Sequence, residues 1–347
     1  MTAPLASAAS PRPLRFGDDA MRGITRRRTR AGRWAFDVPD GAKITDRAEI
    51  ARLMAIALPP AYKRCWYSPD PEVHLLATGY DARGRKQYRY HPDWRAQREA
   101  RKFAAYLRFG AALPGLRAQV ARDLAARRFD RARAVASVVA LLDTGAIRVG
   151  NECYARANRS FGATTLRNRH ASITGRRLHL RFRGKGGRMH EIDSEDAALV
   201  RCVRRMQDLP GQHLFQYLDE DGAAVPVHSE DVNAYLAQAM GTGSVGARSG
   251  EEGFTAGDFR TFTASALAFG LLCADPRPGL GAMLEVVSAR LGNTPAIARK
   301  SYVHPLVIAL AKGEETGAAL IPKHLPRRTR WMSREERGLL AFLGQTG

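Results

Sequence analysis

The chain has 347 residues, room for two or three domains, and its 45% hydrophobic content is ample for globular cores. Lys and Arg number 55 against 34 Asp and Glu, a net charge of +21. That imbalance favours a polyanionic partner, duplex DNA or RNA ahead of an anionic membrane, because no amphipathic basic segment dominates and no stretch approaches the roughly 20 apolar residues of a membrane span.

From the N-terminus, residues 1–19 read as a disordered leader, rich in Ala, Ser and Pro up to Pro13. Arg26-Arg27-Arg28-Thr29-Arg30 is a basic run, and the alternation in Trp34-Ala35-Phe36 predicts a strand. Ile44 to Leu58 has helical spacing and stops at Pro59-Pro60. Trp66-Tyr67 and His74 to Thr78 are expected as short strands. The turn-rich Gly79 to Gly84 leads into Arg85-Lys86-Gln87-Tyr88-Arg89-Tyr90, where basic or amide groups alternate with aromatics. Residues 20–95 are therefore expected to form a small strand-rich domain, with the polar segment Trp94 to Arg101 as a hinge into a second domain over 96–313.

In that second domain, Leu116 to Arg128 and Arg131 to Leu142 carry apolar residues at three- and four-residue intervals, predicting two helices before a loop at Asp143-Thr144-Gly145. From Ala171 to Asp193 the period becomes two: Leu178, Leu180 and Phe182 alternate with basic residues, and Gly184-Lys185-Gly186-Gly187 turns the chain back. A hairpin with a lysine at its tip is expected. Helices are predicted over Ser194 to Leu209 and Ser229 to Met240, each with a serine N-cap, separated by an acidic turn at Asp219-Glu220-Asp221-Gly222. Gly241 to Gly253 has the composition of a flexible loop.

Thr255-Ala256-Gly257-Asp258 has capping-box spacing with Asp in place of Glu and opens an apolar helix to about Leu272, with Arg260 in its first two turns. Ala282 to Leu291 is a further helix. Gly292 suits its left-handed cap, Thr294 and Pro295 suit the start of the next helix, and that helix carries Tyr302. Residues 314–347 read as a basic, mostly extended tail with one short helix signalled by Ser333 and Glu336. The four cysteines, Cys65, Cys153, Cys202 and Cys273, have neither zinc-ligand nor redox-pair spacing and fit thiols in a reducing cytoplasm, here on the nucleoid of a bacterium.

A lone tyrosine means little, but Arg148, Lys185 and Arg260 stand in distinctive settings, and a tyrosine among permanent cations suggests a nucleophile for a phosphodiester. Guanidiniums stay charged at working pH and donate in a fork matched to two phosphate oxygens. A lysine can protonate the departing alkoxide. Nearby cations favour the phenolate of a tyrosine whose ordinary pKa is near 10. Such chemistry needs no metal or other cofactor. Competing motifs are weak: Gly79 to Lys86 approaches a P-loop but lacks the Lys-Ser or Lys-Thr pair, which argues against a nucleotide. No calcium loop, His-Glu-x-x-His or nucleophile elbow appears.

The ordered motifs Gly84 to Tyr90, Ile147-Arg148-Val149-Gly150-Asn151, Thr165-Leu166-Arg167-Asn168-Arg169-His170, Gly184 to Gly187, Asp258-Phe259-Arg260-Thr261 and the tyrosine segment resemble the type IB DNA topoisomerases of poxvirus or bacterial type, over roughly residues 20–312. The resemblance implies an α+β protein, with a strand-rich N-terminal clamp and a larger, mainly helical catalytic domain bearing a small antiparallel hairpin, which acts on duplex DNA as a monomer. It implies that Arg148, Arg260 and Asn293 contact the scissile phosphate, that Lys185 is the general acid to the 5′-oxygen, and that Tyr302 forms a 3′-phosphotyrosyl link. Lys86, Gln87, Tyr88, Tyr90, Tyr154, Arg167 and Arg169 fall on its DNA-contacting stretches. Two positions depart from the family: Asn293 stands where viral members carry His, and Gly257 where they carry Lys and the related tyrosine recombinases usually carry His. A tyrosine recombinase, which would need a protein interface aligning tyrosines on paired duplexes, and a basic DNA-binding protein without catalysis are the alternatives.

Overall fold

The computed structural model describes residues 14–241, 253–275, 279–313 and 324–345. Residues 1–13 of the expected leader and most of the Gly241 to Gly253 loop lie outside these; residues 14–19, expected to be disordered with them, are instead held in place, Arg15 bridging Val73 and Asp19 accepting from Thr78 Oγ1 at 2.9 Å. The protein is α+β, and the chain divides into two compact units, Met1–Ala104 and Ala105–Gly347.

In the first unit, β1 (Ile24–Arg28), β2 (Trp34–Asp37), β3 (Lys63–Tyr67), β4 (Leu75–Tyr80) and β5 (Lys86–Tyr90) form one antiparallel sheet in the order β2-β1-β3-β4-β5. Between β2 and β3 lies α1 (Arg47–Ala55), its N-terminus capped by the Asp46 carboxylate, which accepts from Ala48 N at 3.1 Å. Ile24, Phe36, Leu53, Tyr67 and Ala77 close a core between helix and sheet. The basic run is not uniform. Arg27, Arg28 and Arg30 are exposed, but Arg26 donates to the carbonyls of Leu58 (2.9 Å) and Pro59 (2.5 Å) and lies 4.3 Å from the centre of the Trp34 ring. It ties down the chain after α1.

The segment Trp94 to Arg101 is helical rather than a hinge: it belongs to α2 (Pro92–Ala125). Arg, Gln, Glu, Lys and Ala are all strong helix formers, so the polarity of this stretch does not mark a break. The next helix, α3 (Arg131–Gly145), starts at Asp130, whose carboxylate accepts from Arg133 N, and runs through the predicted loop Asp143-Thr144-Gly145 to a left-handed cap at Ala146. It is the central helix of the second unit, with Val135, Val138, Val139, Leu141 and Leu142 fully buried.

After α4 (Glu152–Asn158), β6 (Ala171–Thr174), β7 (Arg177–Arg183) and β8 (Met189–Ser194) make a three-stranded antiparallel sheet, with Leu178, Leu180 and Phe182 buried as their alternation predicts. Helix α5 (Ala197–Gln207) is capped by Asp196 and not by Ser194: the Asp196 carboxylate accepts from Ala198 N and Leu199 N, while Ser194 ends β8 and its hydroxyl accepts from Asp196 N at 3.3 Å. The acidic turn joins β9 (Gln216–Leu218) to β10 (Ala224–Pro226). At α6 (Ser229–Ala239) the N-cap is His228, because Asp231 reaches back to accept from His228 N at 2.7 Å and makes Ser229 the first helical residue.

Helix α7 (Ala256–Ala274) opens with the predicted capping box, the Asp258 carboxylate accepting from Thr255 N at 2.7 Å. It is followed by α8 (Leu280–Leu291), α9 (Pro295–Ser301) and α10 (Pro305–Ala311). The sequence read the C-terminal region as an extended basic tail with a short helix. Its helix, Arg334–Gln345, buries Leu339, Phe342 and Leu343, and Phe342 stacks on Phe269 of α7 at 5.3 Å. Arg117 of α2 fastens it, bridging Asp143 (2.7 Å) and Glu336 (2.7 Å) and donating to the Trp331 carbonyl. Burial would push the Glu336 carboxyl up, but the Arg117 guanidinium outweighs it and holds it below its ordinary range.

Candidate active site

Tyr302 is the C-cap of α9. Its approach is fixed as the sequence predicts: Gly292 ends α8 in the left-handed region (φ 64), Thr294 caps α9 by accepting from Ile297 N at 3.3 Å, and Pro295 occupies the first turn. Residues distant in sequence hold the main chain of the tyrosine. Its carbonyl lies 2.7 Å from the buried Tyr106 hydroxyl and 3.3 Å from Ser265 Oγ, and His304 N donates to that same Ser265 oxygen at 2.8 Å. Sequence reasoning missed Tyr106 and Ser265, for which helical apolar spacing gives no signal beyond burial.

Two arginines reach the phenol from different elements. Arg148 follows the left-handed Ala146, and the strip 148–149 is stitched to the 163–164 turn through Ala163 N to Arg148 O (2.9 Å) and Thr164 N to Val149 O (2.7 Å). From there Arg148 Nη2 donates to Tyr302 Oη at 3.0 Å. Arg260, only 3% exposed, comes from α7. Its guanidinium donates to Ala146 O and, at 2.9 Å, to Leu291 O, the carbonyl ends of α3 and α8, and its centre lies 5.0 Å from that of the Tyr302 ring. Helix C-termini carry partial negative charge, so a buried cation is compensated there. Burial opposes ionisation of the Tyr302 phenol, yet Arg260 and then Arg148 together outweigh it and hold the group below its ordinary value. Arg148, Arg260 and Tyr302 are thus brought together.

Asn293 follows the Gly292 cap and is 6% exposed; neither its Oδ1 nor its Nδ2 has a hydrogen-bond partner, and Arg260 Nε is likewise unpaired. Unpartnered buried polar atoms are costly, and here they fall on Arg260, which lies against the Tyr302 ring, and on Asn293, two residues after the Leu291 carbonyl that Arg260 holds. Lys185 sits at the tip of the β7–β8 hairpin, exposed and without a hydrogen bond or ion pair among the described residues. No hydrogen bond joins it to Tyr302 among the described residues. Gly257 is exposed in the first turn of α7.

The candidate DNA contacts fall into two groups. In the first unit, Lys86 pairs with Asp19, Gln87 donates to Asp81 at 3.1 Å, and Tyr88, 46% exposed, stacks on Tyr90 at 6.1 Å. In the second, Tyr154 is 51% exposed on α4, Arg167 pairs with Glu152, and Arg169 lies 5.8 Å from the Phe161 ring centre. Arg167 and Arg169 line a basic cavity of about 560 Å³ together with Arg156 and Arg159, which the sequence reading did not single out. Among the described residues, no group of three or more His, Cys, Asp or Glu side chains could hold a metal ion, and no helix is long and apolar enough to cross a membrane.

Residues 91–277 match the family described as eukaryotic DNA topoisomerase I, catalytic core, and residues 33–81 match the bacterial DNA topoisomerase IB N-terminal domain. The first match spans more than half of the chain, and the chain belongs to the type IB DNA topoisomerases. Its relatives include DNA topoisomerase 1B of Acanthamoeba polyphaga mimivirus, 29% identical over 270 residues, which are 74% of this chain and 77% of the viral protein. DNA topoisomerase 1B of vaccinia virus (strain Copenhagen) is 24% identical over 162 residues, 46% of this chain and 51% of that protein. Among solved structures, the post-cleavage complex of the XerH site-specific recombinase bound to palindromic difH substrate aligns with 15% identity and a TM-score of 0.35, covering 55% of this chain and 47% of that one.

Proposed function

We propose that this topoisomerase relaxes supercoiled duplex DNA by cutting one strand through Tyr302, letting it rotate, and resealing it. The observation that carries this is the meeting of Arg148 Nη2 with Tyr302 Oη at 3.0 Å under the Arg260 guanidinium. Tyr302 Oη attacks the scissile phosphorus as its proton passes to water, the bond to the 5′-oxygen breaks, and Lys185 supplies the proton that the leaving oxygen takes. The 3′-phosphotyrosyl link stores the bond energy. Torsion drives rotation, and the 5′-hydroxyl then attacks phosphorus and expels the phenolate, whose return is eased by the same two arginines. Arg148 and the N–H groups of Arg260 not used on helix carbonyls neutralise the phosphate oxygens, and the unpaired Asn293 amide adds a neutral donor once its side chain turns outward.

Residues 20–95 act as a clamp and 96–313 as the catalytic domain, gripping the duplex through Lys86, Gln87, Tyr88, Tyr90, Tyr154, Arg167 and Arg169. The enzyme works as a monomer on the bacterial nucleoid, without ATP or a required metal, because the energy resides in the phosphotyrosyl bond and in DNA torsion. The test is relaxation of positively and negatively supercoiled plasmid in EDTA without nucleotide. The parent should relax both, whereas Tyr302→Phe should bind duplex yet form no denaturant-stable adduct. An adduct trapped with the Phe variant, or a parent active only after a divalent ion is restored, overturns the mechanism.

A further inference from the structure

His190 is the second residue of β8, opposite Phe182 of β7, and the two rings stack at 5.3 Å with planes 10° apart. Strand alternation puts His190 and Ile192 on one side, and that side faces the helices: a β-carbon on Gly145, at the end of α3, would lie 2.9 Å from Ile192 Cδ1. The imidazole goes further. A β-carbon on Gly292 would fall 2.4 Å from its Cε1, and one on Gly184 would fall 2.6 Å from its Cδ2. The ring is therefore wedged between two bare stretches of backbone, and each precedes a residue of the chemistry: Gly184 precedes Lys185, and Gly292 precedes Asn293 on the way to Tyr302.

Backbone bonds close the hairpin tip, from Gly184 N to Arg188 O at 2.7 Å and from Gly187 N to Gly184 O at 3.1 Å, and neither reaches the lysine side chain. The hairpin tip is glycine-rich, with Gly186 and Gly187 at φ 74 and 80, and Lys185 makes no polar contact of its own among the described residues. The imidazole makes none either; it holds by packing. Burial, then Arg260, Arg148 and Arg188, keep its proton affinity below the ordinary value, so the ring is neutral at neutral pH and can sit beside the arginines without repulsion.

We infer that His190 is a positioning residue for proton transfer, locking the hairpin that carries Lys185 to the α8–α9 turn that carries Asn293. The inference rests on the role proposed above for Lys185, and a substrate with a 5′-bridging sulfur separates the two. In the ordinary substrate the Tyr302 Oη–P bond forms, the P–O5′ bond breaks, and the oxygen takes a proton from the Lys185 ammonium. With sulfur the P–S bond breaks and the thiolate, a far weaker base, leaves without a proton. A residue that acts only through the proton donor then becomes dispensable.

Single-turnover cleavage by the full chain should therefore fall about tenfold or more in His190→Ala on the oxygen substrate. On the sulfur substrate the variant should match the parent within about twofold. Equal slowing on both substrates, or no slowing on either, overturns the proposal. Lys185→Ala is the control: it should lose on the order of 100-fold on oxygen and recover on sulfur. If Lys185→Ala is not rescued by sulfur, the proton-donor reading fails; if it is rescued and His190→Ala is not, only the role of His190 fails. Should His190→Ala not fold, His190→Leu keeps an apolar side chain on Phe182, and the same outcomes decide.

Discussion

Arg260 has two roles in one small volume. It spans the carbonyl ends of α3 and α8, which makes it part of the fold, and it lies beside Tyr302, which makes it part of the site. A phenol held beside a cation that also ties helices together cannot drift from that cation without loss of packing, and this coupling favours preorganisation. Gly257 lies one turn earlier on the same helix, where related enzymes carry a cation. Its exposed α-carbon has room: a β-carbon there would meet only Thr255 Oγ1, at 3.4 Å. Gly257→Lys should therefore be accepted, its better helix propensity, up to about 1 kcal/mol, offset in part by a cation at the helix N-terminus. If the added ammonium gives a second proton source to the leaving oxygen, single-turnover cleavage should rise roughly tenfold, about 1.4 kcal/mol of barrier. Thermal melting reads the first effect and rapid-quench cleavage the second; a folded variant with parental cleavage and religation rates would show that Gly257 costs the enzyme nothing.

At the scale of elements, α10 starts on His304, whose Nδ1 accepts from Leu306 N at 3.2 Å while its ring meets the Tyr106 ring edge-on at 5.3 Å. This helix follows directly on Tyr302. Burial holds the His304 imidazole down at about 4, against an ordinary value of 6.5. The unfolded chain takes up a proton as the pH falls through about 6.5, whereas the folded chain does so only near 4. The stability that neutral His304 contributes is therefore complete above pH 6.5 and lost as the pH falls towards 4, on the order of 2 kcal/mol by pH 5. His304→Asn keeps an N-cap acceptor without the titration. Urea unfolding at pH 7 and pH 5 should show a smaller loss for the variant than for the parent, and equal losses would place the acid sensitivity elsewhere. Elements with a strong local signal were legible in the sequence: the Gly292-to-Pro295 cap, the Thr255–Asp258 box and the hairpin over 171–193. Those decided by competition between neighbouring caps were not, since Asp196 displaces Ser194 and His228 with Asp231 displaces Ser229. The arginine pair on Tyr302 was legible as residue types, while His190, Tyr106 and Ser265 reach the site only through tertiary packing, which leaves no periodic trace.

For the whole molecule, the net charge of +21 sets the balance of forces on DNA. Both compact units expose arginines, Arg27, Arg28 and Arg30 in the first and Arg156, Arg159 and Arg169 in the second, so backbone phosphates should account for most of the affinity. Each phosphate neutralised releases counterions and lowers log K by about 0.9 for each unit of log salt, so the slope counts contacts. A chain lacking residues up to about 95 keeps every side chain of the proposed catalytic cluster, because Arg148, Lys185, Arg260, Asn293 and Tyr302 all belong to the second unit. If the first unit is a clamp, that shortened chain should bind duplex more weakly and with a shallower salt slope, while still forming the Tyr302 adduct at saturating DNA. Titration of a labelled duplex at several salt concentrations, with circular dichroism to check that the fragment is folded, measures both quantities. A folded fragment with the parental slope would mean that the first unit neutralises no phosphates and that the grip on DNA belongs to the second unit alone.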